Sequence, residues 1–425
     1  MYNSRVKPLL LKYSLILKNA SYMSVLKLTV MLLPLVTYPY LIRTLGANKF
    51  GLVIYAISIV AFLRVLIKFG FELSAVKAVS EASGDHRKIS SIFTSVILSQ
   101  AFLFVLSIFI LVVLIATFES VNDVAFLLFF ALLLPLSDIF MMTWLFQAIQ
   151  KMKYITYVNV MAGLINIAGV FIFIKSAEHY VFVPLIQGAS FLVASVLAMV
   201  IILRSGIAGF CKVTFQDVVE QLKSSLSLFV SRISAIFNSE FTVILLANFV
   251  GPSAVSFYDL SKKIIEVFKM PNSVINIVVF PHIARTKSLD FVNWVLFIRI
   301  ILALLLSLVA YITYSWVIEV LGGKEVAEGA ASAFLIMMPL IIITSITYYT
   351  GTSILVSFGH IKEFNISVIL TSLIYLVIVA IMNALFGLTL EIVLYSMLLS
   401  ELFLMMFRLV VCYKLNLIGI RHFRK

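Results

Sequence analysis

The chain has 425 residues, of which 63% are hydrophobic and 12% charged, and its mean hydropathy is +1.14. A soluble domain carries roughly 25% charged residues, so too little polar surface is available to cover a particle of this size in water. A soluble enzyme, a secreted disulfide scaffold and a disordered chain are excluded. Lys and Arg outnumber Asp and Glu by 32 to 19, a net +13. In a membrane protein that excess reports topology first and an anionic ligand second.

Crossing the hydrocarbon core takes about 20 mostly apolar residues. Twelve stretches qualify. The first, 22–43, carries Lys27 and lacks a small-residue cleavage site, so a retained span is expected, not a signal peptide. The next five fall at 49–71, 90–116, 123–147, 154–174 and 180–203. The longest loop follows, around 204–224, with Gly206, Gly209, Lys212, Asp217, Glu220 and Lys223. The second six fall at 225–249, 253–281, 291–321, 330–357, 364–386 and 390–413. Pro34, Pro39, Pro135, Pro271 and Pro339 mark kinks or hinges, and Tyr38, Tyr40, Trp144 and Trp316 suit an interfacial belt.

Nineteen of the 32 basic residues fall on one side of this arrangement and three (Lys49, Lys175, Lys324) on the other. The positive-inside rule then puts both termini in the cytoplasm, in keeping with an even number of spans. Cys211 and Cys412 are half a chain apart, and the five His residues share no ligand spacing, so neither a disulfide framework nor a metal centre is expected. No G-x-x-x-x-G-K-[ST] occurs, no large extramembrane loop could hold a catalytic domain, and nothing points to nucleic acid. A transporter is expected, not an enzyme.

An internal repeat supports that reading. Leu41–Gly46 reads LIRTLG and Leu246–Gly251 reads LANFVG. Matching Gly46 to Gly251 sets an offset of 205 and places Lys7 on Lys212, Lys18 on Lys223, Lys27 on Arg232, Arg64 on Lys269 and Asp85 on Asp290. Four of the nine basic residues in 1–70 thus find basic partners, where average density predicts fewer than one. Pro135 and Pro339 match at 204. The expectation is a duplicated all-α membrane protein: lobes 1–205 and 206–425, six spans each, related by an axis along the membrane normal, with a central cleft.

Ten bases lie within spans. A charge at the bilayer centre costs at least about 2.5–3.5 kcal/mol, so such residues face a bundle interior or a watery cavity. Arg43, Lys68 and Arg408 sit near span ends and read as snorkelling side chains. Arg64, Arg232, Lys262, Lys263, Lys269 and Arg299 are deeper or clustered, and Lys27 is intermediate. Asp259, Lys262, Lys263, Glu266 and Lys269 share one helical face, which allows Asp259–Lys263 and Lys262–Glu266 pairs. Arg64, Lys68 and Glu72 repeat at four. The buried acids Asp138, Glu240 and Glu401 are candidates for a proton or cation relay, or for pairing with the bases.

Residues 39–51 (PYLIRTLGANKFG), 69–80 (FGFELSAVKAVS), 144–156 (WLFQAIQKMKYIT), 231–251 (SRISAIFNSEFTVILLANFVG), 257–264 (FYDLSKKI) and 280–285 (FPHIAR) resemble, in order and spacing, Wzx-type polysaccharide repeat-unit flippases. These belong to the multidrug/oligosaccharidyl-lipid/polysaccharide exporter superfamily. The resemblance implies two six-helix lobes that alternate between inward-open and outward-open states. The implied cargo is an undecaprenyl-diphosphate-linked oligosaccharide, such as an O-antigen unit of lipopolysaccharide, moved from the cytoplasmic to the periplasmic leaflet of a bacterial inner membrane. No cofactor is implied beyond a coupling proton or cation. The partners would be membrane lipids and the polymerase and chain-length proteins of the same pathway. On this reading Arg64, Arg232 and Lys269 take the anionic headgroup, with Lys27, Lys262, Lys263 and Arg299 as a second set. Asp259, Glu240 and Asp138 serve coupling or gating. The rivals are an ion-driven exporter of a small drug or cation, a membrane enzyme of polysaccharide assembly, and a peptidoglycan-precursor flippase. Base-rich spans disfavour the first, the lack of a large periplasmic loop the second, and the short chain the third.

Overall fold

The computed structural model describes the backbone of residues 3–82 and 84–418, and the side chains of 32, 33, 35–82, 84–276 and 278–418. Every regular element among them is helical. Helix α1 (Asn3–Lys68) breaks only at Gly46 (φ 74°, ψ 165°), a backbone region open to glycine alone. The expected spans 22–43 and 49–71 are therefore its two arms. Phe69 and Gly70 adopt positive φ and turn the chain into α2 (Phe71–Glu81), a short helix not anticipated in the sequence reading. Asp85 caps α3 (His86–Thr117) by accepting from the N–H groups of Arg87 and Lys88 at 3.0 and 3.1 Å.

The fourth span is fragmented into α4 (Glu119–Asn122), α5 (Ala125–Ala131), α6 (Leu133–Phe140) and α7 (Thr143–Ala148). Met142, with φ 49°, stands between the last two. Helices α8 (Met152–Phe173), α9 (Phe182–Arg204) and α10 (Phe215–Phe249) follow. Gly251 (φ 122°, ψ 164°) precedes α11 (Pro252–Thr286), whose Pro252 fills the first turn. Then come α12 (Leu289–Gly322), α13 (Lys324–Met337) and α14 (Leu340–Tyr348), the last running into a π-helical segment, Tyr349–Val356. Helices α15 (Ile361–Phe386) and α16 (Leu390–Lys414) complete the chain.

The described residues contain ten helices long and apolar enough to cross a membrane, or eleven if the pair Lys324–Met337 and Leu340–Val356, bent by 43°, is one span. That is close to the twelve expected. The remaining candidate, 22–43, lies mostly outside the described side chains. The broken spans are the expected fourth of each half, where Pro135 and Pro339 lie. Asp85 and Asp290 each stand at the start of a third span.

The surface confirms lipid as the solvent. On α3, Phe102, Val105 and Phe109 are 61%, 66% and 66% exposed, whereas Ser95, Ser99, Gln100 and Ser107 are buried. Small polar groups at helix contacts and apolar side chains outside are the pattern of a bundle in hydrocarbon. The chain is a multi-pass membrane protein.

Two compact units are present: residues 1–44 with 59–233, and residues 45–58 with 234–425. The first is cored by Phe71, Phe93, Trp144, Leu145 and Phe146. Trp144, expected at an interface, is 4% exposed and belongs to this core, whereas Trp316 is 70% exposed. The second unit packs Ile283, Val292, Tyr349, Ile354 and Cys412 together.

Within the second unit the helices that follow Gly46 and Gly251 touch closely. A Cβ on Gly51 would stand 1.8 Å from the carbonyl oxygen of Pro252. Ser256 Oγ donates to the carbonyl of Ala47 at 2.5 Å. The offset of 205 maps Ala47 onto Pro252 and Gly51 onto Ser256. The two contacts are thus images of each other, the reciprocal pattern of a two-fold contact.

Candidate functional site: two charged regions inside the helices

In the first unit, α1 carries Arg64 and Lys68 one turn apart, and the turn at Phe69–Gly70 keeps Glu72 of α2 within reach of Lys68. Helix α6 brings Asp138 to both bases. Arg64 grips Asp138 in bidentate fashion, Nε–Oδ2 2.6 Å and Nη2–Oδ1 3.0 Å. Lys68 Nζ lies 3.6 Å from Asp138 and 3.0 Å from Glu72. Arg232, on α10, donates to Glu72. Five charges alternate along this chain with one base in excess. Lys68, read from sequence as snorkelling, is its central member. Asp138, whose side chain is 4% exposed, is held by two bases. Such a carboxylate is a structural counter-ion before it is a relay.

Beside the chain, α2 is fastened to the first half of α10. Ser74 and Ser225 share a hydrogen bond of 2.6 Å, and Phe69 stacks on Phe229 with centroids 4.6 Å apart.

The second unit encloses a cavity of about 440 Å³ between α10, α11, α14, α15 and α16. Lys262, Glu266, Lys269, Glu401 and Arg408 are its charged lining residues. The expected Lys262–Glu266 pair does not form. Lys262 instead reaches Glu240 on α10 at 3.6 Å and donates to Ser239, while Lys263 pairs with Glu266 at 3.6 Å. Of the five residues expected on one face, Lys262, Glu266 and Lys269 line the cavity and Asp259 and Lys263 do not, and the register of pairing was decided by α10. Asp259 is 6% exposed on the same helix. Lys269 and Glu401 make no hydrogen bond or ion pair among the described residues, and act on each other only at longer range.

Two arginines serve packing. Arg299, 1% exposed, donates to the carbonyls of Asn272 (2.5 Å) and Ser345 (2.9 Å) and lies over the Tyr349 ring. It does not line the cavity. Arg408 was expected to snorkel. It is 5% exposed instead, donating to Thr347 O at 2.7 Å and Ser367 Oγ at 2.9 Å, with Phe364 across its plane. Gly351 makes room for it: a Cβ there would stand 2.3 Å from Nη1. Asn276 bonds Thr352 and Ser353 of the π-helical segment at 2.8 and 2.7 Å.

The structure therefore brings Arg64, Arg232 and Asp138 together in one region, and Lys262, Lys269 and Glu240 in or beside another. Lys27 lies outside the described side chains. Sequence reasoning missed Lys68 and Arg408 because nearness to a span end does not reveal what a neighbouring helix offers. The i, i+4 run Arg64–Lys68–Glu72 was the usable signal for Lys68.

Residues 16–287 match the model of a family described as polysaccharide biosynthesis protein. A protein of Escherichia coli (strain K12) named "Putative O-antigen transporter" is 26% identical over 375 residues, covering 87% of this chain and 90% of that one. One of the same name from Shigella dysenteriae is 21% identical over 260 residues, covering 61% and 65%. Among solved structures, the lipid II flippase MurJ in an inward closed conformation aligns with TM-score 0.75 at 14% identity, covering 94% of this chain and 88% of that one. An inward-facing multidrug resistance transporter of the MATE family and MOP superfamily aligns with TM-score 0.71 at 13% identity, covering 93% and 98%. These likenesses show the fold, and the family match spans well over half of the sequence: the chain belongs to the polysaccharide biosynthesis protein family.

Proposed function

We propose that the protein is a flippase that moves an undecaprenyl-diphosphate-linked oligosaccharide, an O-antigen or similar repeat unit, from the cytoplasmic to the periplasmic leaflet of a bacterial inner membrane. Alternating access drives the passage, both termini stay in the cytoplasm, and polymerase and chain-length proteins take over the product. The halves 1–205 and 206–425 are a duplication, which the reciprocal Gly51–Pro252 and Ala47–Ser256 contacts support. The single observation that carries the reading is the base excess inside an otherwise apolar helical chain, seen most directly in Arg64–Asp138–Lys68–Glu72–Arg232. A diphosphate offers only acceptors and negative charge, so guanidinium and ammonium groups already desolvated among helices suit it.

Arg64, Lys68 and Arg232 take the diphosphate in this proposal. Glu72 and Asp138 hold them in place until the cargo competes for them. Glu240 and Asp259, beside Lys262 and Lys263 in the second unit, remain the choices for coupling or gating. An ion-driven exporter of cations is disfavoured, since each acid of the first-unit chain is engaged by bases.

The test is the leaflet distribution of lipid-linked repeat units in cells lacking the protein. Single units should accumulate and stay out of reach of periplasmic probes. Wild-type protein should restore their passage, and Arg64→Gln/Arg232→Gln should insert normally yet fail to restore it. Units that cross normally in the deletion strain would overturn the reading.

A further inference from the structure

We propose that the cavity of the second unit is a sugar subsite that reads hydroxyl groups of the cargo's glycan and excludes its diphosphate. This rests on the flippase reading and assigns a part of the cargo that the first-unit charges leave unaddressed. Phosphate oxygens accept hydrogen bonds and donate none, so a phosphate site presents N–H and O–H groups. A sugar ring presents many O–H donors, and its site must offer acceptors.

Six Ser and Thr hydroxyls lining this cavity have spent their hydrogens. Thr344 Oγ1 donates to Leu340 O at 2.5 Å, Thr352 to Tyr348 O at 2.7 Å and Thr371 to Ser367 O at 2.7 Å. Thr347 donates to Thr344 O at 3.3 Å, and Ser372 to Ser234 O at 3.1 Å. Ser239 donates to Glu240 at 3.1 Å. Each oxygen keeps at least one lone pair for an incoming donor, Thr352 already accepting from Asn276 and Ser239 from Lys262. Asn238 lines the same wall, and its buried Oδ1 has no partner among the described residues. Glu401 adds two further acceptor oxygens, engaged by no hydrogen bond among the described residues.

Two of the three lining bases are already engaged, Lys262 by Glu240 and Ser239 and Arg408 by Thr347 O and Ser367 Oγ, so the groups left open, hydroxyl oxygens and the Glu401 carboxylate, favour donors over phosphate. Cations are donors too, but Lys262, Lys269 and Arg408 against Glu266 and Glu401 leave the lining with one base in excess, which disfavours a cationic guest. What remains is a neutral or acidic ring rich in hydroxyls. Lys269, with no carboxylate at ion-pair distance, supplies the donor for a ring oxygen. Tyr348, 45% exposed, offers a flat face for the apolar side of the ring. A cavity of about 440 Å³ falls in the range of small-ligand sites, roughly 300–1,000 Å³.

The test uses the purified full chain in detergent, with Cys211→Ser to remove the exposed thiol and Thr344→Cys as a reporter on the cavity wall. Leu404→Cys is the second reporter should the first fail to fold. Alkylation by N-ethylmaleimide is timed with lipid-free repeat-unit oligosaccharide, released by mild acid from the host's own surface polysaccharide, and separately with inorganic pyrophosphate. At about four times its Kd the oligosaccharide leaves roughly one fifth of the sites free, so labelling should slow about fivefold. Pyrophosphate should leave the rate unchanged, and Lys269→Gln should weaken the oligosaccharide's protection. Protection by pyrophosphate alone would overturn the assignment and make the cavity a headgroup site. Protection by neither would overturn it as well. Both outcomes leave the flippase reading standing if the deletion strain still traps lipid-linked units in the cytoplasmic leaflet. Free passage in that strain is the separate result that removes the flippase reading itself.

Discussion

Replacing Asp138 by Asn keeps the shape of the side chain and removes its charge. Asp138 accepts two hydrogen bonds from Arg64 and faces Lys68 at 3.6 Å. Asn keeps one acceptor and turns an NH2 toward the guanidinium, so at least one charge-assisted bond, about 1.5–3 kcal/mol, is lost. Breaking one partner of a buried ion pair costs about 3–5 kcal/mol. The Arg64 side chain is 30% exposed, so water offsets part of this and the lower end, about 3 kcal/mol, applies. Removing Arg64 as well takes away the charge left uncompensated. Asp138→Asn/Arg64→Gln should therefore lose less than the two single losses added, by about 2 kcal/mol. The assay is thermal unfolding in detergent of the wild type, both single variants and the double. Losses that add to within about 0.5 kcal/mol would refute the pairing as an energetic unit.

Gly51→Ala should collapse the yield of monodisperse protein in size-exclusion chromatography, because its Cβ would stand 1.8 Å from a backbone oxygen and no rotamer relieves that. Gly46→Ala meets no atom within 4 Å but keeps φ at 74°, so a milder loss of about 1–3 kcal/mol is expected; equal behaviour of the two would contradict this account. Arg408→Lys should lower the unfolding midpoint by an equivalent of about 2 kcal/mol, since one ammonium cannot reach both Thr347 O and Ser367 Oγ. Gly351→Ala should mimic it, and the pair should cost less than its sum. With N-ethylmaleimide, Cys211 should react in the folded protein and Cys412 only after denaturation, as their exposed and buried positions require; mass spectrometry reads both.

Much of the fold was legible because membrane helices announce themselves. Hydrocarbon leaves the backbone no partner except itself, so length and apolarity nearly suffice to locate a span. The offset of 205, found from LIRTLG and LANFVG, also aligned the two glycines at which the helices break, whereas the contact between the helices that follow them came only from the structure. The charged residues were legible as a set and not as pairs. Arg64 and Lys68 showed their common face by a spacing of four, yet Glu72 lies beyond the break at Phe69–Gly70 and Asp138 arrives from a helix more than sixty residues away. Lys262 had Glu266 within reach on its own helix and took Glu240 on another.

Sequence alone thus determined the solvent of this protein, the approximate number and order of its spans, its basic excess and the internal repeat of its sequence. Those follow from local rules of period, length and charge. Tertiary structure decided which charges are already spent. Arg299 is committed to two carbonyl groups, Arg408 to a carbonyl and a hydroxyl, and the first-unit bases to Asp138 and Glu72, while Lys269 and Glu401 stay open to the cavity. It also decided which Ser and Thr residues line the cavity, whereas the loss of most of their hydrogens to carbonyls one turn back on the same helix is a local effect. The physical reason is that a side chain's free valence depends on every neighbour within about 3–4 Å, and in a bundle most of those neighbours come from other helices.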